Sequence, residues 1–311
     1  MDRSRALPRV LITAALLLCA AADRPRLPIR DSRWLQSADI VRDLTSAPVE
    51  CLAWPSDRGK RRDVAVGRIL FRSPLLLGGQ AARAGLSCAS CHRNGRSNPH
   101  FHFPGISGQP GTADVTASLM SKKRGDGTFN PRPIPDLAGN PSKLKVSRDP
   151  SRDDLRRFIR GLIVEEFDGP EPSPAALDSI TRYVRAMSSE ACPRRAEAAV
   201  TLNAMLADVS SAVRLAAQAY ASGDAATGRA LLAAARSTLG SIDERFQLTG
   251  LEGGRSQLRA ADSELFRLQN AGNADLSRWN RDWPMRKRAL RSVEHRSLFN
   301  PAVLRRVAAA S

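Results

Sequence analysis

Cys88 and Cys91 are separated by two small residues, Ala89 and Ser90, and are followed at once by His92. Three positions is a little less than one helical turn, so both thiols lie along the same turn. At that spacing the thiols can add to the two vinyl groups of one porphyrin. The imidazole directly after the second thiol then falls under the ring, where it can bind the iron. This Cys-x-x-Cys-His order is the attachment signature of a covalently bound c-type haem. A Cys-x-x-Cys pair on its own also serves thiol–disulfide exchange. The histidine directly after Cys91, together with an export signal, favours haem. The expectation is one covalent haem c, held by Cys88 and Cys91, with His92 as proximal ligand to the iron.

The export signal is residues 1–22. Arg3, Arg5 and Arg9 form a basic start, and Val10 to Cys19 is an apolar run too short to span a bilayer. Ala20-Ala21-Ala22 fits a small-residue cleavage site, which puts the mature start at Asp23. Acylation at Cys19 is disfavoured because the bulky Leu18 precedes it. No later stretch is long and apolar enough for a transmembrane helix. A soluble periplasmic protein is expected.

Five cysteines occur in the chain. Cys19 leaves with the signal, and Cys88 and Cys91 serve the haem. Cys51 and Cys192 remain, and in an oxidising compartment they are a disulfide candidate. The alternative is two buried thiols.

The formal net charge is +17, and loss of Arg3, Arg5, Arg9 and Asp2 with the signal leaves +15. This charge suits an acidic redox partner or an anionic lipid surface. No nucleic-acid-binding motif is present. Most of the excess is arginine spread along the chain, as on a solvated basic surface. The chain also lacks a Ser/His/Asp triad, a metal cluster and a glycine-rich nucleotide loop.

Periodicity divides the chain after the signal into three parts. Residues 23–62 are an approach segment rich in Pro, Arg and Trp, with a short helix expected within Ser37 to Leu44 and a solvated turn at Arg58-Gly59-Lys60-Arg61-Arg62. Residues 63–194 are the haem region. Val64 to Phe71 has helical spacing and stops near Pro74. Asn94 to Asn140 is rich in Gly, Pro, Ser and Asn and reads as long loops, a length that suits wrapping a cofactor. Asp153 to Val164 is amphipathic, with Ser151 as its expected cap, and Leu177, Ile180, Tyr183, Val184 and Met187 mark a further helix face. Residues 195–311 are a helical unit: Leu202 to Ala216 and Thr227 to Leu239 form a hairpin about Ser222-Gly223-Asp224. After a break at Leu251 to Gly254, Leu258, Leu265 and Leu268 mark a third helix. The tail, Trp279 to Arg306, reads either as an amphipathic surface for an acidic partner or lipid headgroups, or as ordinary packing on the bundle. The fold class expected is mainly α: a cytochrome c-like haem domain with long loops, then an α-helical hairpin or bundle domain.

The run from Val66 to Leu75 (Val-Gly-Arg-Ile-Leu-Phe-Arg-Ser-Pro-Leu), followed by Leu86-Ser87-Cys88-Ala89-Ser90-Cys91-His92, resembles the first haem domain of the bacterial dihaem cytochrome c peroxidases. Asn130 to Leu137 resembles that family's later proline-bearing stretch, and Leu155 to Met187 its terminal cytochrome helices. The resemblance covers Asp63 to Met187 and implies a cytochrome c-like fold. The family's peroxidases carry two Cys-x-x-Cys-His motifs, one haem for electron transfer and one for peroxide. This chain has one, so the two-centre mechanism does not carry over, and a monohaem relative is implied.

The sixth iron position decides between electron transfer and substrate chemistry. His100 and His102, in His100-Phe101-His102-Phe103, lie close after the motif, and Met120 comes later; these three are the candidate distal ligands. Met187 reads first as a core methionine, and an open site is the remaining choice. Arg93 and Arg96 are candidates for holding a haem propionate. Three functions fit these residues. The first is a periplasmic electron carrier. The second is a peroxidase-like enzyme with an open or displaceable sixth position. The third is an interaction or sensor protein whose activity lies in residues 195–311.

Overall fold

The computed structural model describes residues 27–117, 119–194, 196–271 and 275–310. The expected signal over residues 1–22, with Cys19, lies outside the described residues. The described chain is mainly helical.

Helix α1 (Ile40–Thr45) is capped by Asp39, whose carboxylate accepts the N–H of Arg42 at 3.0 Å. Strand β1 (Ser46–Pro48) comes directly after it. Helix α2 (Arg58–Phe71) starts at Arg58 rather than Val64, because the Asp57 carboxylate accepts the Lys60 N–H at 2.8 Å. The basic run expected as a solvated turn is therefore the first turn of this helix. Two short helices come next, α3 (Gly79–Ala84) and α4 (Cys88–Cys91).

The loop-rich stretch after α4 holds a two-residue ladder between β2 (Thr112–Ala113) and β3 (Arg132–Pro133) and two short turns of 3-10 helix, Arg93–Gly95 and Pro141–Lys143. Helix α5 (Asp154–Gly161) runs into a π-helical turn, Leu162–Glu166. Its cap position is Asp153, not Ser151, whose hydroxyl donates to Asp149 at 2.7 Å instead. Helix α6 (Pro174–Ala186) is capped by Ser173, and strand β4 (Glu197–Ala199) lies beyond it.

The remaining helices are α7 (Leu202–Ala221), α8 (Ala225–Arg245), α9 (Glu252–Asn270), α10 (Ser277–Val293) and α11 (Pro301–Ala309). Helix α9 begins at Glu252, so the expected break at Leu251 to Gly254 shrinks to the turn before it.

Helices α2 and α6 cross at Gly67. A Cβ there would stand 2.0 Å from the Ser179 carbonyl oxygen and 2.8 Å from the Tyr183 Cβ, so only hydrogen fits. The close approach sets Phe71 edge-on to Tyr183, with ring centroids 5.2 Å apart. Beside the crossing, Glu50 accepts the Tyr183 hydroxyl at 2.6 Å and pairs with Arg68 and Arg72 at 2.7 and 3.1 Å. Asp208 of α7 closes the ring, pairing with Arg68 and Arg72 at 2.7 and 2.8 Å.

One apolar cluster runs from Trp34 through Leu70 and Ile180 to Leu206, Leu232 and Trp279, so the segment before residue 195 and the helices after it share a core. Strand β1 pairs antiparallel with β4, Ser46 opposite Ala199, which ties the approach segment to the start of that unit. A second cluster packs Leu27, Val41 and Leu44 against Leu298 and Leu304.

The tail is built by packing. Trp279 and Trp283 stack with centroids 4.7 Å apart and are 1% and 4% exposed. Their indole N–H groups donate to the Ala261 carbonyl at 3.3 Å and the Ser210 hydroxyl at 2.8 Å. Neither ring is presented to a lipid surface. Among the described residues no helix is long and apolar enough to cross a membrane.

Candidate haem site

The site begins at a helix of one turn. Ser87 precedes α4 with an extended backbone, and its N–H donates to the Ser90 hydroxyl at 3.0 Å. The N–H of His92 donates to the Cys88 carbonyl at 2.8 Å, which carries the helical geometry as far as the histidine. The chain then turns sharply through Asn94 and Gly95, both at positive φ (51° and 75°). Glycine is required at 95. A Cβ there would lie 2.2 Å from the Met187 sulfur, in a backbone conformation that side chains avoid. Asn94 holds the turn from its own side chain, accepting from Arg72 and donating to the Pro48 carbonyl, each at 2.8 Å.

Cys88 and Cys91 are free thiols, half-buried against the main apolar cluster. Burial pushes both up to about 12 from the ordinary 9.0, so both stay protonated at neutral pH. His92 is half-buried beside Phe71, with ring centroids 6.4 Å apart. Its Nδ1 lies 3.0 Å from the Pro135 carbonyl oxygen. A carbonyl only accepts, so Nδ1 carries the proton and Nε2 keeps its lone pair. Burial lowers the imidazole to about 4, against the opposing pull of the Pro135 carbonyl and Asp136. The ring is thus neutral and in the tautomer that can bind iron through Nε2.

Two contacts hold the Pro135 carbonyl in place. Arg96 binds Asp136 through two nitrogens, Nε at 2.8 Å and a terminal nitrogen at 2.7 Å. The N–H of Leu137 donates to the Gly95 carbonyl at 3.0 Å. Segment 135–137 therefore runs back along the turn after His92. A terminal nitrogen of Arg96 also lies 3.3 Å from the Cys51 sulfur, and Cys51 and Cys192 form a disulfide.

The three candidate distal ligands lie in different settings. The loop carrying His100 and His102 is tied to the approach segment. Gln36 N–H donates to the His100 carbonyl at 2.8 Å and His102 N–H to the Trp34 carbonyl at 2.9 Å. Between them Phe101 is fully buried, while both histidines are half-buried. Nε2 of His100 faces Asp43 at 3.6 Å. Met120 is 1% exposed and belongs to the apolar cluster on which Cys88 and Cys91 pack. Met187 is equally buried, but its sulfur sits against Gly95 as a core residue. Both arginines beside the motif already have partners, Arg96 through all of its side-chain nitrogens and Arg93 through one. Arg96 is engaged by Asp136, and Arg93 donates to the carbonyls of Asp43 and Ser46.

Among the described residues no three His, Cys, Asp or Glu side chains converge as a site for a bare metal ion. The donor set fits a porphyrin instead: two thiols on one turn, a neutral imidazole with one free nitrogen, and apolar packing. Sequence reasoning found the thiols and the histidine. It missed the Pro135 carbonyl and the Arg96–Asp136 pair that holds it. The one signal for them was the proline-bearing stretch Asn130 to Leu137. No protein-family model, curated protein or solved structure matches the chain.

Proposed function

We propose that this chain is a periplasmic c-type cytochrome that carries one covalent haem and passes single electrons. The observation that carries this reading is the hydrogen bond from His92 Nδ1 to the Pro135 carbonyl, directly after two free thiols on one turn. Histidines that bind metal characteristically donate their other ring N–H to such an acceptor. Bound there, haem c supplies one-electron oxidation and reduction at its iron.

In this reading each residue has one task. Cys88 and Cys91 tether the porphyrin through thioethers. His92 binds iron through Nε2, and Pro135 fixes its tautomer and ring orientation. Both thiols pack against the main apolar cluster. Met120 is our choice of sixth ligand, because of His100, His102 and Met120 it alone is fully buried. A methionine sulfur raises the reduction potential and closes the iron to peroxide, which favours electron transfer over a peroxidase activity. The single motif makes the chain a monohaem relative of the dihaem cytochrome c peroxidases in this account. The basic surface suits an acidic redox partner.

The test is a digest of the protein matured in a host that attaches c-type haem, followed by electron exchange with a one-electron donor. The reading expects haem mass on the peptide that contains Cys88 to His92, full reduction by one electron per chain, and no peroxide turnover. Peroxide consumption by the reduced protein over many cycles would replace it with the enzyme reading.

A further inference from the structure

A recess lies on the seam between α2 and α7, and none of Cys88 to His92 lines it. It has a volume of about 400 Å³, within the range of small-molecule sites. Ala65 and Ile69 of α2 line it as apolar surface, and Ser211 adds a hydroxyl. Its walls are Trp54, Arg61 and Arg214, and the Arg68 side chain also lines it.

Three features of this recess point to one ligand chemistry. First, no carboxylate lines it. Arg68 is neutralised by Glu50 and Asp208, at 2.7 Å each, but among the described residues Arg61 and Arg214 pair with no acid. Arg61 makes one hydrogen bond, from Nε to the Pro55 carbonyl at 3.2 Å, which leaves its terminal nitrogens unused. Second, Trp54 is 44% exposed although large apolar side chains are usually covered. It stands where an indole face meets a guanidinium, with Arg61 Cζ 6.0 Å from the ring. Third, Ala65 and Ile69 give the same recess an apolar lining beside these cations. A flat apolar body can lie on that surface while its acid group meets the guanidiniums at the rim.

The larger groove of about 510 Å³ behind α4 offers a contrast. Its buried guanidiniums are already engaged, Arg93 by the Asp43 and Ser46 carbonyls and Arg245 by the Leu44 and Leu298 carbonyls.

We infer that the recess of Trp54, Arg61, Ile69 and Arg214 is a binding site for a small aromatic carboxylate. The ring stacks on Trp54 and covers Ile69, and the carboxylate bridges Arg61 and Arg214. Guanidinium forks match a carboxylate in geometry as well as charge. The inference is independent of the haem reading.

Calorimetric titration of the full purified chain, with or without haem, tests it, with naphthoate as probe. The controls are acetate, which has no ring, its neutral naphthyl alcohol counterpart, and a short acidic peptide. Naphthoate is expected to bind, with both small controls at least about tenfold weaker. Arg214→Gln and Trp54→Ala should each weaken naphthoate at least about tenfold, and Trp54→Phe should restore part of the loss. Both positions are exposed, and an unchanged circular dichroism spectrum confirms that the variants fold. No saturable naphthoate binding, or binding that neither variant changes, overturns the inference. So does tighter binding of the acidic peptide than of naphthoate, which would mark a protein-docking face.

Discussion

His92 Nδ1 lies 3.0 Å from the carbonyl oxygen of Pro135, a residue 43 positions further along the chain. The bond keeps the proton on Nδ1 and leaves the Nε2 lone pair open, and the Arg96–Asp136 pair steadies the acceptor. Removal of that pair should therefore be felt at the histidine. Arg96→Ala is expected to cost about 1–2 kcal/mol of stability. In the haem-loaded protein it should also raise the reduction potential, because a weaker Nδ1 bond makes the imidazole a poorer donor to oxidised iron. Denaturant titration and redox potentiometry on the same variant check both. An unchanged potential would mean that Arg96 supports the loop and not the ligand.

In the proposed reading Met120 supplies the sixth ligand. Met120→Ala should lower the potential and give a high-spin fraction in the absorption spectrum. His100→Ala and His102→Ala should leave the spectrum as it is, since His100 faces Asp43 and both rings are half-buried. A spectral change confined to a histidine variant would transfer the sixth position to that residue.

Gly67→Ala tests the helix crossing. The added methyl would fall 2.0 Å from the Ser179 carbonyl, so α2 and α6 must move apart. The expected loss is about 2–3 kcal/mol, read as a lower urea midpoint at an unchanged slope. Gly240→Ala is the control: nothing lies within 4 Å of a Cβ there.

The thiols of the haem-free protein should react slowly. Both are held at about 12 against an ordinary 9.0, so thiolate is scarce at neutral pH. The sign is that of an acid disfavoured by burial. Reactivity rises with pH and keeps rising beyond the point where an exposed cysteine has levelled off. Iodoacetamide labelling followed by mass spectrometry should find Cys88 and Cys91 at least about tenfold slower than an exposed cysteine at neutral pH.

Features governed by near neighbours were legible in the sequence. The Cys88-to-His92 order, the helix faces around Leu155 and Ile180, and the hairpin at Ser222-Gly223-Asp224 come from spacing, capping and turn chemistry within a few residues. The reading failed or stayed open where two local signals competed. Four basic residues at Arg58 to Arg62 oppose the helix macrodipole, yet the Asp57 cap starts α2 there. Ser151 and Asp153 both suit a cap, and Asp149 takes the Ser151 hydroxyl. Trp279 and Trp283 fit an interface as well as a core, and only packing against Ala261 and Ser210 decides between them. The Pro135 acceptor and the Glu50–Asp208 ring join residues far apart in the chain, which periodicity cannot read.

The most direct test of the account is an absorption spectrum of the mature protein, oxidised and reduced, with its alkaline pyridine haemochrome. The account predicts a c-type haemochrome with both vinyl groups saturated, one haem per chain, and a low-spin six-coordinate reduced form. Absence of covalent haem from protein made in a host that attaches it would contradict the central claim and leave Cys88 and Cys91 as a redox pair.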